Sequence, residues 1–323
     1  MVFKRMLGAF GVGAPTVDTV LDTPRVQPGG VLSGEVRLRG GDFDADIEGI
    51  TLGLVAGVEI EGEGGELSGL ADFHRVEVSG PFKLASKAGR VIPFRIPVPW
   101  ETPISEIDGQ PLTGMAVGVR TELAIAKAVD KGDLDPVAVE PLPSQARILQ
   151  AFPRLGFQFK SADVEAGQVY GVRQELPFYQ EIEFYPPPQY AGRIGQVELT
   201  FVAAPDGLEV VLEADGSGSG DAIGRFRVGH DEALAKDWAA ELDRWLGALA
   251  HHGGPGPYDG HDPAGHYGGH HGGHPSGHHG GHHGDGPGWG TVAAAGAAGL
   301  VGGYVVGEMV EEIFEDDDEG DDD

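Results

Sequence analysis

Through the first 230 residues, apolar side chains recur at every second position. In the stretch IEGITLGLVAGVEI, Ile50, Leu52, Leu54, Val58 and Ile60 alternate with small or polar residues. Successive side chains on a strand point to opposite faces, so this spacing predicts strands with one face buried. In VIPFRIPVPW the apolar positions are Ile92, Phe94, Ile96, Val98 and Trp100, and Pro93, Pro97 and Pro99 lie between them. Proline has no amide proton for a ladder, which places this strand at a sheet edge. MAVGVRTELAI carries its apolar face on Met115, Val117, Val119, Leu123 and Ile125. LPFYQEIEF puts Leu176, Phe178, Ile182 and Phe184 on one face and Tyr179, Glu181 and Glu183 on the other. The alternation continues through Val197, Leu199 and Phe201, then Leu208, Val210 and Leu212, then Phe226 and Val228. Turn signals such as Pro28-Gly29-Gly30, Gly40-Gly41 and Gly64-Gly65 separate these runs. The pattern predicts an all-β chain with two antiparallel β-sandwich domains, residues 1–135 and 136–230.

The period changes in three places. SQARILQAFPRLG predicts one short helix with Ile148, Leu149 and Phe152 on one side, limited by Pro153. Residues 231–250 place Leu234, Trp238, Leu242, Trp245, Leu246 and Leu249 on one helical stripe, a helix expected to dock on the sandwiches with Asp231 as its N-cap. Residues 1–10 form a third amphipathic pattern, with Phe3, Met6, Leu7 and Phe10 on one face. That face packs on the first domain or contacts a partner or membrane surface.

Charge narrows the function classes. The formal net charge of −29 argues against a sequence-independent grip on nucleic-acid phosphates and against docking on anionic lipid. The absence of cysteine excludes disulfides and Cys-ligated zinc, and it fits a cytoplasmic location. No Lys or Arg follows Arg244, and residues 251–323 hold fourteen acids. Residues 251–290 contain eleven histidines among glycines, too little apolar surface to offset ordering entropy, and read as a tether spanning roughly 35 Å. Neutral imidazoles at His270, His271, His274, His278, His279, His282 and His283 are weak candidate ligands for zinc, nickel or copper. Glycine spacers supply no groups to fix the rings, so any metal there is adventitious or weak. Protonation near pH ~6.5 would instead make the tract a proton sensor. Tether, metal site and sensor all remain open. Beyond it, Ala295, Gly299, Gly303 and Gly307 recur every fourth residue, which predicts a glycine-zipper helix over 291–314 for self-association, docking or membrane insertion. Disorder is the remaining alternative, and peripheral membrane contact is a further partner expectation. An acidic tail, 315–323, closes the chain.

Candidate chemistry is sparse. Outside 251–283 only His74 and His230 remain, and no Ser, Thr or Lys stands in a recognisable nucleophile motif. Paired carboxylates are abundant, but in so acidic a chain they read as solvated surface. The expectation is a protein without catalytic residues or cofactor. VDTVLDTPRVQPGGVLSGEVRLRGG (17–41), PFRIPVPWETPIS (93–105), AIAKAVDKGDLDPVAVEP (124–141) and LPFYQEIEFYP (176–186) are together similar to the bacterial sporulation-control family, stage-zero sporulation protein M. The resemblance covers roughly residues 1–230 and leaves out the tail. It implies two arrestin-like β-sandwich domains and a non-catalytic regulator of sporulation or differentiation that binds other proteins. Sheet edges and the groove between domains are the expected contact surfaces. The alternatives are a histidine-rich metal-binding protein and a membrane-associated scaffold using the zipper segment.

Overall fold

The chain is mostly β, as the alternation predicts. The computed structural model describes residues 13–62, 65–190, 192–216, 222–252 and 304–306. Its N-terminal half holds β1 (Thr16–Leu21), β2 (Arg25–Val26), β3 (Val31–Arg39), β4 (Ala45–Gly62), β5 (Gly65–Ser79), β6 (Phe82–Leu84) and β7 (Gly89–Pro97). There follow β8 (Glu106–Ile107), β9 (Gln110–Pro111), β10 (Val117–Ile125), β11 (Lys131–Pro136) and β12 (Ala138–Val139). Two helices, α1 (Pro143–Leu149) and α2 (Ala151–Leu155), lead into β13 (Gln158–Ala166), β14 (Phe178–Tyr185), β15 (Ile194–Ala204), β16 (Gly207–Gly216) and β17 (Ala222–Gly229). The remaining elements are α3 (His230–Ala235), α4 (Trp238–His252) and β18 (Tyr304–Val306).

In the first half, a three-stranded sheet β1-β3-β7 packs over the sheet formed by β11, β10, β4 and β5. Leu32, Val36, Ile92, Phe94 and Ile96 from one sheet meet Ile50, Leu52, Leu54, Val119 and Leu123 from the other in a continuous core. Each such side chain contributes about 1.5–3 kcal/mol of burial. Thr121 occupies an otherwise apolar odd position and is fully buried. Its hydroxyl lies 2.6 Å from that of Thr19 on the opposite sheet, so the polar group is satisfied across the core. The Thr19 amide donates to the Asp133 carboxylate at 2.7 Å, drawing β1 against β11. The proline-bearing strand β7 lies at a sheet edge, and among the described strands it pairs with β3 alone.

In the second half, β13 to β17 form an antiparallel meander. Its inner face, including Ile182, Phe184, Val197, Leu199, Val210 and Leu212, packs against Ile148, Phe152, Trp238, Leu242, Trp245 and Leu246 of the helices. Helices thus cover the face that the strand pattern alone assigns to a second sheet. Phe152 stacks on Phe184 with ring centroids 4.1 Å apart. The halves are joined where β13 runs parallel to β4 at Glu165 and Glu59, giving one strand path β11-β10-β4-β13-β14-β15-β16-β17. Gly114, with φ +94°, passes so close to β13 that a Cβ there would lie 2.0 Å from the Ala162 carbonyl oxygen. The buried Gln180 acts as a surrogate strand partner: its Oε1 accepts from the Ile104 amide at 2.9 Å and its Nε2 donates to the Ile104 carbonyl at 2.7 Å.

Three expectations about helices are corrected. SQARILQAFPRLG forms two helices, α1 and α2, and Pro153 lies inside α2 rather than ending it. It is the third residue of that helix, where an amide has no partner in the helix to lose; left-handed Gly156 (φ 89°) supplies the stop. The 231–250 stripe is broken at extended Lys236 into α3 and α4. Gly229, not Asp231, is the N-cap of α3, while the Asp237 carboxylate caps α4 by accepting from the Ala240 amide at 3.2 Å. Finally, Tyr304–Val306 is a strand paired with β5, not part of a helix. The rest of 291–314, the 1–10 pattern, the histidine tract and the acidic tail lie outside the described residues.

Candidate binding groove and an acidic sheet face

The loop after β7 carries Trp100 and Glu101 to the open ends of β15, β16 and β17. Between them lies a groove of about 790 Å3. Its floor includes Ala203, Leu208 and Val228, all buried, and Trp100 forms one wall. Exposed Arg173, Glu175 and Arg227 and the half-buried Glu209 ring the opening. Arg227 and Glu209 are cross-strand partners with a 3.4 Å ion pair. No residue lining the groove is a Ser, Thr, Cys, Lys or His. Ala203, Leu208 and Val228 are sealed in the core beneath, so a ligand meets the Trp100 ring and the mixed charge of Glu101, Arg173, Glu175, Glu209 and Arg227. Such a lining suits a polar extended segment with one apolar residue against Trp100.

Two clamps set the groove's shape. Glu101 accepts the amides of Glu175 and Leu176, each at 2.8 Å, and so holds the 167–177 loop against the loop after β7. Burial raises the Glu101 pKa, and the two amide bonds pull the other way. On the same loop, Gln174 Nε2 donates to the carbonyls of Leu176 and Phe178 at 2.7 Å, while its Oε1 accepts the Val169 amide at 3.1 Å. His230 forms the second clamp. Its Nε2 is 2.9 Å from the Ala204 carbonyl and therefore donates, leaving Nδ1, 2.8 Å from the Ser144 hydroxyl, to accept when the ring is neutral. The Trp100 ring rests 6.0 Å from the His230 ring, so the groove wall is braced from behind.

The outer face of the meander is a second feature, and sequence reasoning missed it. Asp163, Glu181 and Thr200 stand side by side on β13, β14 and β15, as do Glu183, Glu198 and Glu213 on β14, β15 and β16. These carboxylates are not simply solvated. Glu181 lines a small cavity beneath Val169 and Tyr170. Burial, then repulsion from Glu198, Asp163, Glu165 and Glu213, pushes its pKa up to about 10. Asp163 is raised to about 7 by burial, then by Glu165, Glu183, Glu59 and Glu198; its Oδ1 is buried without a hydrogen-bond partner. Tyr179 is raised as well, chiefly by burial. Lys160 offsets part of this field through a 3.1 Å pair with Glu183. The available signal was the recurrence of acids at matching positions on consecutive strands.

Of the six residues expected to dock the helix, Trp238, Leu242, Trp245 and Leu246 are buried on the meander, each 2% exposed or less. Leu234 is 45% exposed and does not dock, because the break at Lys236 turns α3 away from the stripe. The Leu249 side chain lies outside the described residues. So do His270, His271, His274, His278, His279, His282 and His283, and Ala295, Gly299, Gly303 and Gly307. Among the described residues, no group of three His, Cys, Asp or Glu side chains is placed to hold a metal ion. No helix among them is long and apolar enough to cross a membrane.

This architecture defines a mostly β protein whose two halves share a groove. The family model Spo0M, SpoOM protein, matches residues 3–218. The chain is 33% identical over 214 residues to the sporulation-control protein spo0M of Bacillus subtilis (strain 168), covering 66% of this chain and 80% of that protein. The crystal structure of Spo0M, sporulation control protein, from Bacillus subtilis superposes with a TM-score of 0.66 at 30% identity, over 73% of this chain and 99% of that one. The chain belongs to the SpoOM protein family.

Proposed function

We propose that this chain is a non-catalytic, arrestin-like adaptor that takes part in sporulation control from the cytoplasm. Its domains are 1–135 and 136–230, with the helices of the second replacing an opposing sheet. The sporulation-control relative supports the regulatory role. The observation that carries the binding mode is the groove walled by Trp100 and Glu101 from the first half and floored by β15–β17 of the second. A partner segment in that groove touches both halves at once, so binding and the relative placement of the halves are coupled.

The test is complementation in a spore-forming bacterium lacking its own family member. Arg227→Glu, which reverses the charge at the exposed groove rim, and Trp100→Ala are each compared with Val129→Glu on an exposed loop outside the groove. Groove variants that remain folded by circular dichroism are expected to lose complementation, and Val129→Glu to retain it. Full complementation by both groove variants would refute the binding mode.

A further inference from the structure

We propose that the outer edge of β5 is a strand-acceptor site and that the chain's own segment Tyr304–Val306 is its resident occupant, which an extended partner segment must displace. One side of β5 is hydrogen-bonded to β4 from Gly65 to Ser79. On the other side its neighbour is β18, antiparallel, with Tyr304 opposite Ala71, Val305 opposite Leu70 and Val306 opposite Gly69.

The other long edges are poorly suited to this role. Among the described strands β7 pairs with β3 alone, and Pro93 and Pro97 lie at positions of one parity. Their missing amide protons are tolerated only on the outward side, which blunts that edge. β11 is drawn to β1 by Asp133. β17 carries exposed Arg225 and Arg227, charges that discourage a further strand. At β5, Gly69, Leu70 and Ala71 bring neither proline nor charge to the paired stretch. The occupant reads GGYVVGE, an aromatic and two β-branched residues whose composition favours a strand. Among the described residues three register pairs hold it to β5, few enough for a competing segment to exchange with it. A competing segment of the same chemistry, extended, uncharged and rich in β-branched residues, fits the same edge. This inference does not depend on the groove: β5 contributes nothing to the groove's lining.

The test uses the full chain and its double variant Val305→Pro/Val306→Pro. Adjacent amides on a strand point to opposite sides, so the pair removes whichever donor faces β5. Two readouts are made: hydrogen exchange at amides 69–71, and fluorescence anisotropy with a labelled peptide VGGYVVGE. Tethered occupants act at an effective concentration of about a millimolar, so their removal is expected to strengthen peptide binding about tenfold or more. Exchange at those of the 69–71 amides that face β18 is expected to accelerate by a similar factor, while the alternate amides facing β4, and 52–54 on β4, stay fixed. Unchanged exchange, or equal peptide binding by both chains, overturns the proposal. Light scattering that finds a dimer in the unaltered chain and a monomer in the variant also overturns it, because the tail would then pair with a second copy.

Discussion

Glu181→Gln is expected to stabilise the protein, by an amount that grows with pH. Glu181 stands on the outer face of the meander beside Asp163 and Thr200, beneath Val169 and Tyr170. Its pKa is pushed from an ordinary 4.5 up to about 10, first by burial and then by neighbouring carboxylates. Between those two values the fold holds the proton while the unfolded chain has released it. The native state therefore binds more protons, and stability falls as pH rises, by about 1.4 kcal/mol per unit. The contribution is fully present below about 4.5 and lost progressively up to about 10. At about pH 7.5 the accumulated penalty reaches about 4 kcal/mol as a ceiling. Asp163 and the neighbouring carboxylates titrate together with Glu181 and share the proton uptake, so about half that ceiling, ~2 kcal/mol, is the working expectation. Glutamine is close in shape to the protonated acid, which leaves packing unchanged. Urea denaturation of both chains at about pH 5, 7.5 and 9 reads the difference from the midpoints at constant m-value. Near-coincident midpoints at the lowest pH and a widening gap above it are expected. Parallel curves, or a variant less stable at about pH 7.5, would refute the reasoning.

Other outcomes follow from the same geometry. Gln180→Leu strands the Ile104 amide and carbonyl in the core and is expected to cost about 3 kcal/mol by chemical denaturation. Trp245→Ala should cost about 3–5 kcal/mol, and Leu234→Ala, at an exposed position, no more than about 0.5. Gly224→Val should be destabilising for the opposite reason, overpacking rather than a cavity, because a Cβ at Gly224 would lie 2.7 Å from Trp245 Nε1. Serine in place of the seven histidines from His270 to His283 is expected to leave complementation intact; its loss would favour the metal-handling alternative.

The strands were legible because burial on one face imposes a period of two, and Ile50, Leu52, Leu54, Val119 and Leu123 follow it into one core. The edge position of β7 was legible for the separate reason that Pro93 and Pro97 have no amide proton to give. The α3–α4 break was not, since Leu234 and Trp238 keep helical spacing across Lys236 and only backbone geometry separates them. The helical cover on the meander was also hidden, because a strand's apolar face does not say whether a sheet or a helix meets it. The groove arises from residues about a hundred positions apart, Trp100 with Ala203 and Leu208, which no local pattern joins. On the outer face, alternating Glu and Asp look the same whether solvated or half-buried. The 167–177 loop above Glu181 decides that question, and its course depends on Gln174 and Glu101.

In sporulating cells the groove is expected to hold a partner segment. A photoreactive benzoylphenylalanine at Arg173, on the groove rim, traps that segment, with the same group at Val129 as the control. A discrete cross-linked species is expected from position 173, absent from 129 and abolished when Arg227→Glu is added to the same chain. Cross-linking that is equal at both positions, or that survives Arg227→Glu undiminished, would rule out an occupant in the groove.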